Sequence, residues 1–255
     1  MKVATWNVNS IRARLDRLVA WLDAQQPDIL CLQETKVEDG SFPNDVLATH
    51  GYQATIVGQR TYNGVAILSR TPLTDVERVL PGAADDPQAR FVAATTAGLR
   101  VVSVYVPNGE AIDSPKYTYK LGWLDRLHAY VARLPATVPT VIGGDYNVAP
   151  AAIDCYDPAA WAGSVLCSDA ERAAFTKLLD TGLVDLVRHL NPTTPCYSWW
   201  DYRMLGFPKN KGMRIDHLLA TAAFVERAIA AGVDREARKG KQPSDHAPVW
   251  VELRA

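Results

Sequence analysis

The chain has 255 residues, 27 Lys plus Arg against 28 Asp plus Glu (net −1), and is 48% hydrophobic and 22% charged. That composition is globular and excludes a disordered chain, and Gly and Pro at 16 each without a period exclude a fibre. No apolar run reaches the roughly 18 residues of a membrane-spanning helix, and the near-zero charge argues against a whole-surface basic coat for nucleic acid.

Lys2 to Trp6 alternate and predict a strand. Ser10 then caps a predicted helix that puts Ile11, Leu15, Leu18, Val19 and Leu22 on one face. Asp28–Leu32 reads as a central strand, residues 42–49 as a short helix, and Tyr52–Gly58 and Gly64–Ser69 as two strands. Phe91–Thr96 and Leu99–Val106 flank Ala97 and Gly98, a hairpin signal. Leu121, Leu124, Leu127, Val131 and Leu134 give a helix over 119–134 one apolar stripe. Val138–Ile142 is a short strand leading into Gly143 and Gly144, residues 169–180 a helix, and 196–200, 213–219 and 247–253 strands. Segment 150–170 is the loosest. One domain over 1–255 is expected, an α/β chain with two packed sheets covered by helices.

The spacings of Cys31, Cys155, Cys167 and Cys196 fit no close-paired zinc pattern. They are expected to be unpaired thiols in a reducing, cytoplasmic setting. The N-terminal MKVATWNVNS shows one Lys and an alternating run rather than the apolar core of a secretory leader.

The chemistry lies where strands end. Asn7 and Asn9 follow the first strand, Gln33 and Glu34 the second, and Tyr105 and Asn108 close another. Asp145, Tyr146 and Asn147 follow the glycine pair, Arg214, Asp216 and His217 sit on a later strand, and Ser244, Asp245 and His246 precede the last. Alone, each has a bland reading: a cap for Asn7 or Asn9, a solvated Glu34, a half-buried Tyr105, an Asp216 paired with Arg214. Together at one edge they make a polar pocket. Carboxylate and amide oxygens are hard ligands suited to Mg²⁺ or Mn²⁺ rather than to zinc. Phosphoryl transfer needs such a site: neutralised phosphate oxygens, a positioned nucleophile and donors for developing charge. Glu34 suits the metal, Asp145 a water, Asn147 and His246 a phosphate oxygen, and Tyr105 the developing charge. The glycine pair is expected to let backbone come close to the site.

The chain resembles the exonuclease III type of apurinic/apyrimidinic endonuclease, within the endonuclease/exonuclease/phosphatase superfamily. The resemblance runs end to end through TWNVNSIRAR at 5–14, PDILCLQETK at 27–36, NGVAILSR at 63–70, VYVPNGE at 104–110, IGGDYNVAP at 142–150, GLVDLVRHLNP at 182–192, YSWWDYR at 197–203, GMRIDHLLA at 212–220 and PSDHAPVW at 243–250. It implies a four-layer α/β sandwich, two mixed sheets flanked by helices, with the site at one edge of the sheets. It implies a metal site at Asn7, Glu34, Asp145, Asn147, Asp245 and His246. It implies catalytic roles for Tyr105, Asp145, Asn147, Asp216 and His246, with Asp216 orienting His246. Asn108, Trp199, Arg203, Met213 and Ile215 are the implied substrate contacts. Tyr146 stands where the family often has Phe, Asn9 where some members have Asp, and Met213 where some have a bulky aromatic.

The implied activity is metal-dependent (Mg²⁺ or Mn²⁺) cleavage of duplex DNA 5′ to abasic sites, with action at 3′ ends, by a monomer without a membrane partner. The alternatives are a superfamily phosphatase acting on a small or lipid phosphoester, and a damage-binding protein without catalysis. The segment YSWWDYRMLGFPKNKGMRID favours DNA by supplying aromatics for a sugar pocket and placing Arg203, Lys209, Lys211 and Arg214 near phosphates. The net charge of −1 then predicts a local basic face, with Arg12, Arg14, Lys36, Arg60, Arg90 and Lys116 completing it, and salt-sensitive binding.

Overall fold

The structure is a computed structural model, and it describes residues 1–254. The strands are β1 (Lys2–Asn7), β2 (Ile29–Gln33), β3 (Gln53–Val57), β4 (Val65–Ser69), β5 (Thr74–Glu77), β6 (Phe91–Thr96), β7 (Leu99–Tyr105), β8 (Thr140–Asp145), β9 (Val184–Asp185), β10 (Asp216–Ala220), β11 (Ala228–Val233) and β12 (Val249–Leu253). The helices are α1 (Ile11–Gln25), α2 (Asn44–Thr49), α3 (Pro115–Val131), α4 (Pro158–Trp161), α5 (Asp169–Asp180), α6 (Leu186–Leu190) and α7 (Ala222–Val225). Two six-stranded mixed sheets form, in the orders β11-β12-β1-β2-β4-β3 and β5-β6-β7-β8-β10-β9.

Each sheet is built on one parallel pair whose crossover is a helix: β1 and β2 joined through α1, and β7 and β8 joined through α3. Helix α1 starts at Ser10, whose hydroxyl accepts from the Ala13 amide, and it buries Ile11, Leu18, Trp21 and Leu22. Helix α3 starts at Ser114 with Pro115 in its first turn and buries Trp123, Leu124 and Leu127. The Ala97–Gly98 turn between β6 and β7 has positive φ at both residues (51° and 74°), the backbone that a tight two-residue hairpin requires.

Between the sheets, Val3, Ile29, Cys31 and Ile67 of one face Val92, Val101, Val141 and Leu218 of the other in a single apolar cluster. A second cluster lies under α1 and a third under α3 and α5. The layers therefore run helix, sheet, sheet, helix, the four-layer sandwich that the resemblance implied.

The glycine pair works differently from the expectation. A Cβ on Gly143 would lie 3.2 Å from Thr5 and 3.3 Å from the Cys31 sulfur, and one on Gly144 would lie 2.1 Å from the Val104 carbonyl oxygen. The pair lets the two sheets and two neighbouring strands close on one another, beneath the site rather than within it.

Several predicted boundaries move: the strand over 138–142 forms over Thr140–Asp145, and the helix over 119–134 over Pro115–Val131. Residues 196–200 form no strand, only bridges from Trp199 to Met213 and to His246. The strand expected over 213–219 begins at Asp216, and the one over 247–253 begins at Val249. Strands β5, β9 and β11 carried no clear alternation and were not predicted; β5 is a fully exposed edge strand and β9 has two residues. Cys31, Cys155, Cys167 and Cys196 are free thiols, as expected.

Candidate active site

The topology brings the polar strand ends together. Parallel strands present their C-terminal ends at one edge, which places Asn7 and Glu34 beside Tyr105 and Asp145. Antiparallel neighbours present their N-terminal ends there: Asp216 opens β10 opposite Asp145, and Ser244–His246 leads into β12 beside β1.

Glu34 and Asn147 sit at these ends with φ of 51° and 50°, a left-handed conformation that costs side-chain-bearing residues on the order of 1 kcal/mol each. Local bonds hold both. The Glu34 carbonyl accepts from the Ser10 amide (2.7 Å), and the Asn147 amide donates to Asp145 Oδ1 (2.9 Å).

The centre is tightly knit. Asn7 Nδ2 donates to Glu34 Oε1 (2.8 Å) and to Asp145 Oδ2 (2.9 Å), so it bridges the two carboxylates. Its own Oδ1 accepts from the Asn9 amide, and in this orientation Asn7 aligns carboxylates rather than offering a free oxygen to a metal. Asn147 Nδ2 donates to the Val106 carbonyl (3.0 Å), and Asn108 Nδ2 donates to Asn147 Oδ1 (3.0 Å).

His246 Nδ1 donates to Asp216 Oδ2 at 2.8 Å, and its Nε2 lies 3.8 Å from Asp145 Oδ2. Asp216 is held in turn by Ser198, whose hydroxyl donates to Oδ2 (2.6 Å) and accepts from the Ile215 and Asp216 amides. Ser244 ties this segment to β1 by donating to the Asn7 carbonyl (2.6 Å) and accepting from the His246 amide. Asp245 accepts from Asn9 Nδ2 (2.9 Å) and from the Trp199 indole (3.1 Å). Asn9 thus donates to Asp245 and accepts from Lys36 Nζ (2.6 Å). Lys36 also pairs with Glu34 Oε2 at 2.8 Å.

Burial and charge tune the titrations. Burial pushes Asp145 up, the neighbouring His246 opposes that and Asp216 adds to it, leaving the carboxyl at about 7. Burial would lower His246, but Asp216, Asp145 and Asp245 together raise it to about 10, so the imidazole is cationic at neutral pH. Tyr105 is pushed well up by burial and by the charges of Glu34 and Asp145, so its phenol stays neutral and can donate.

One donor atom each from Glu34, Asp145 and His246 lie within 4.8 Å of one another. The two carboxylates fit a hard divalent cation, with the protonated imidazole beside it rather than ligating it, and Glu34, with a side chain 18% exposed, opens the site to solvent.

The predicted substrate contacts divide. Trp199 is half-buried against Asp245, while Trp200 is fully buried with its indole donating to Asn210 Oδ1. Met213 (0% exposed) and Ile215 (2%) pack with Ala149, Cys155, Leu166 and Cys167 under Trp161 and Trp199, so both back the groove wall rather than lining it. The open groove beside them, about 510 Å³, is lined by Tyr156, Trp161, Trp199, Asp201, Arg203, Met204, Gly206 and Lys211. Arg203 lies on that rim, exposed and paired with Asp201 at 2.7 Å. Tyr146 is buried, its ring edge-on to Phe175 and His217 and its hydroxyl donating to the Ile142 carbonyl.

Arg214 departs from expectation. It is 1% exposed and faces inward, donating to Asp154 Oδ1 (2.7 Å) and to Asp185 (2.7 and 3.0 Å), with His217 Nδ1 at 2.9 Å. It therefore contributes nothing to a phosphate-facing surface, and Asp216 is free of it. Arg90 is also 9% exposed, its guanidinium stacked 4.6 Å over the Tyr105 ring. Arg12, Arg60, Lys116, Lys209 and Lys211 remain exposed. Ser198 and the buried Lys120–Glu171 pair were missed by sequence reasoning; Ser198 lies inside the YSWW segment, and Lys120 occupies a helix position that reads as ordinary surface.

The Endonuclease/Exonuclease/phosphatase family matches residues 4–246. The chain belongs to that family. It is 36% identical to exodeoxyribonuclease III of Haemophilus influenzae, with 100% of both chains covered. It superposes with a TM-score of 0.97 on a 3′ phosphatase from Neisseria bound to a product DNA hairpin (44% identity, all of both chains). An AP endonuclease from Archaeoglobus fulgidus gives a TM-score of 0.96 at 39% identity, again over all of both chains. These relatives do not favour a small or lipid phosphoester as the substrate.

Proposed function

We infer that the protein is a DNA repair nuclease, a divalent-metal-dependent phosphodiesterase that cuts duplex DNA 5′ to abasic sites and processes 3′ ends. The observation that carries the reading is the convergence of Glu34, Asp145 and His246 within 4.8 Å at the sheet edge, with Asp216 bound behind His246.

Asp145 takes a proton from the attacking water, and a carboxyl near 7 suits a base working at neutral pH. His246, cationic and oriented by Asp216, donates to a phosphate oxygen, and Asn147 and Tyr105 add donors where charge builds. Glu34 and Asp145 would hold Mg²⁺ or Mn²⁺, with Asn7, Asn147, Asp245 and the cationic His246 around them, and the cation would supply charge neutralisation at the phosphate. Asn108 and Arg203 face the DNA backbone, and Trp199, backed by Met213 and Ile215, borders the abasic sugar. The chain works as a single domain over 1–255, a monomer in the cytoplasm.

The test sets an end-labelled abasic duplex, a 3′-recessed duplex and a 3′-phosphate duplex beside an inositol phosphate, each with EDTA, Mg²⁺ or Mn²⁺. Cleavage of abasic and 3′-end substrates that EDTA abolishes is expected. Faster turnover of the inositol phosphate than of every DNA would overturn the reading.

A further inference from the structure

Lys120 lies on α3, outside the set of strand ends, with its side chain wholly removed from solvent. A buried ammonium is costly unless every proton finds an acceptor. Here Nζ donates to the Asn147 carbonyl (2.6 Å), the Asn108 carbonyl (3.0 Å) and the Glu171 carboxylate, which uses all three of its protons.

Glu171 neutralises the charge and is itself saturated, accepting from the Ser168 hydroxyl and amide and from the Leu166 amide. That ion pair anchors the start of α5. It gives no reason, however, for the ammonium to seek out two main-chain carbonyls, and both belong to residues of the site.

Their side chains explain the choice. Asn147 holds a left-handed backbone (φ 50°), which turns its carbonyl inward to Lys120 while its amide group meets Asp145 and Val106. Asn108 reaches across to Asn147 Oδ1. Gly109, at φ 97°, leaves the gap for the lysine stem, since a Cβ there would stand 3.2 Å from Lys120 Cδ.

We propose that Lys120 is a positioning residue for phosphodiester hydrolysis: it clamps the main chains of Asn108 and Asn147 so that their amide groups face the scissile phosphate, with Glu171 as its counter-ion. The proposal rests on the nuclease reading above.

The test compares wild type, Glu171→Gln and the charge-neutral double variant Lys120→Met/Glu171→Gln on the abasic and 3′-phosphate duplexes, well below their melting temperatures. Glu171→Gln leaves both carbonyl contacts, so it should melt earlier and keep kcat within about threefold of wild type. The double variant should lose roughly tenfold or more in kcat, with any rise in KM smaller than that loss, because it misplaces a transition-state donor at Asn147 but only one of several DNA-backbone contacts at Asn108. Should the double variant fail to fold, Lys120→Gln, which keeps an amide donor, takes its place with a smaller loss of kcat. Wild-type kcat in whichever Lys120 variant folds, or an equal loss in Glu171→Gln, would overturn the proposal. Wild type inactive on both duplexes would instead fail the nuclease reading.

Discussion

Replacing Arg214 by Met tests how the floor of the site is built. The guanidinium lies between Asp154 (1% exposed) and Asp185 (9%), with its shortest bond to each at 2.7 Å. Methionine fills the apolar volume but strands the carboxylates, and removing one partner of a buried pair costs about 3–5 kcal/mol. The lower end applies, because Arg188 still reaches Asp154 at 2.6 Å, and Asp185 keeps His217 at 3.6 Å and the Arg188 amide at 3.3 Å. At about 2 °C per kcal/mol for a chain of this length, the variant should melt roughly 6 °C lower near pH 7.5.

The loss should depend on pH. Burial would raise Asp185, but Arg214 and His217 hold it well below the ordinary carboxylate range. A depressed carboxyl contributes stability that is present above its unfolded value near 3.9 and lost as pH falls through the folded value. In Arg214→Met that contribution disappears and burial pushes the stranded carboxyl up instead, a penalty that grows as pH rises above the unfolded value, so the gap from wild type should be widest at neutral pH and narrow as the solution is acidified toward pH 4. Thermal melts followed by circular dichroism between pH 4 and 8 measure it, and adding Asp185→Asn should restore about half of the loss. A drop under about 2 °C at pH 7.5, or one of the same size at pH 4, would mean that the Arg214–Asp185 pair does not carry this stability.

Glu34→Gln and Asp145→Asn should each lower turnover on an abasic duplex by at least about 10²-fold while duplex binding persists in EDTA, read by single-turnover cleavage and anisotropy. Asp216→Asn removes the anion nearest His246, which is held at about 10 in the metal-free protein. Stability from that raised histidine is present below about 6.5 and lost as pH rises toward 10, so the variant should show an earlier histidine titration by NMR. Gly144→Ala drives a methyl to 2.1 Å from the Val104 carbonyl and should cost about 3 kcal/mol or more, read by denaturant unfolding. Duplex affinity should fall steeply with salt, and Arg203→Ala should shallow that slope whereas Arg214→Met should not.

The alternation of Lys2–Trp6, the capped stripe after Ser10 and the Ala97–Gly98 turn are local signals, and they determined strands, helices and one hairpin from sequence alone. The polar residues at strand ends were equally legible, because a hydrophobic strand that stops in Glu34 or Asp145, or follows His246, marks where its edge meets water. Three-dimensional packing decided what each one touches. Arg214 reads as one more cation beside a basic loop, yet the buried segment that leads into β10 turns it inward to Asp154 and Asp185. Gly143 and Gly144 read as letting backbone come close to the site, yet two sheets meeting without room for a side chain make them spacers. Lys120 shows nothing in sequence, since its partners lie 12, 27 and 51 residues away and meet only when α3 packs beside α5. Local periodicity records which side of an element is apolar. The acceptors of a buried charge depend on which distant segments close over it, and that is a property of the folded chain.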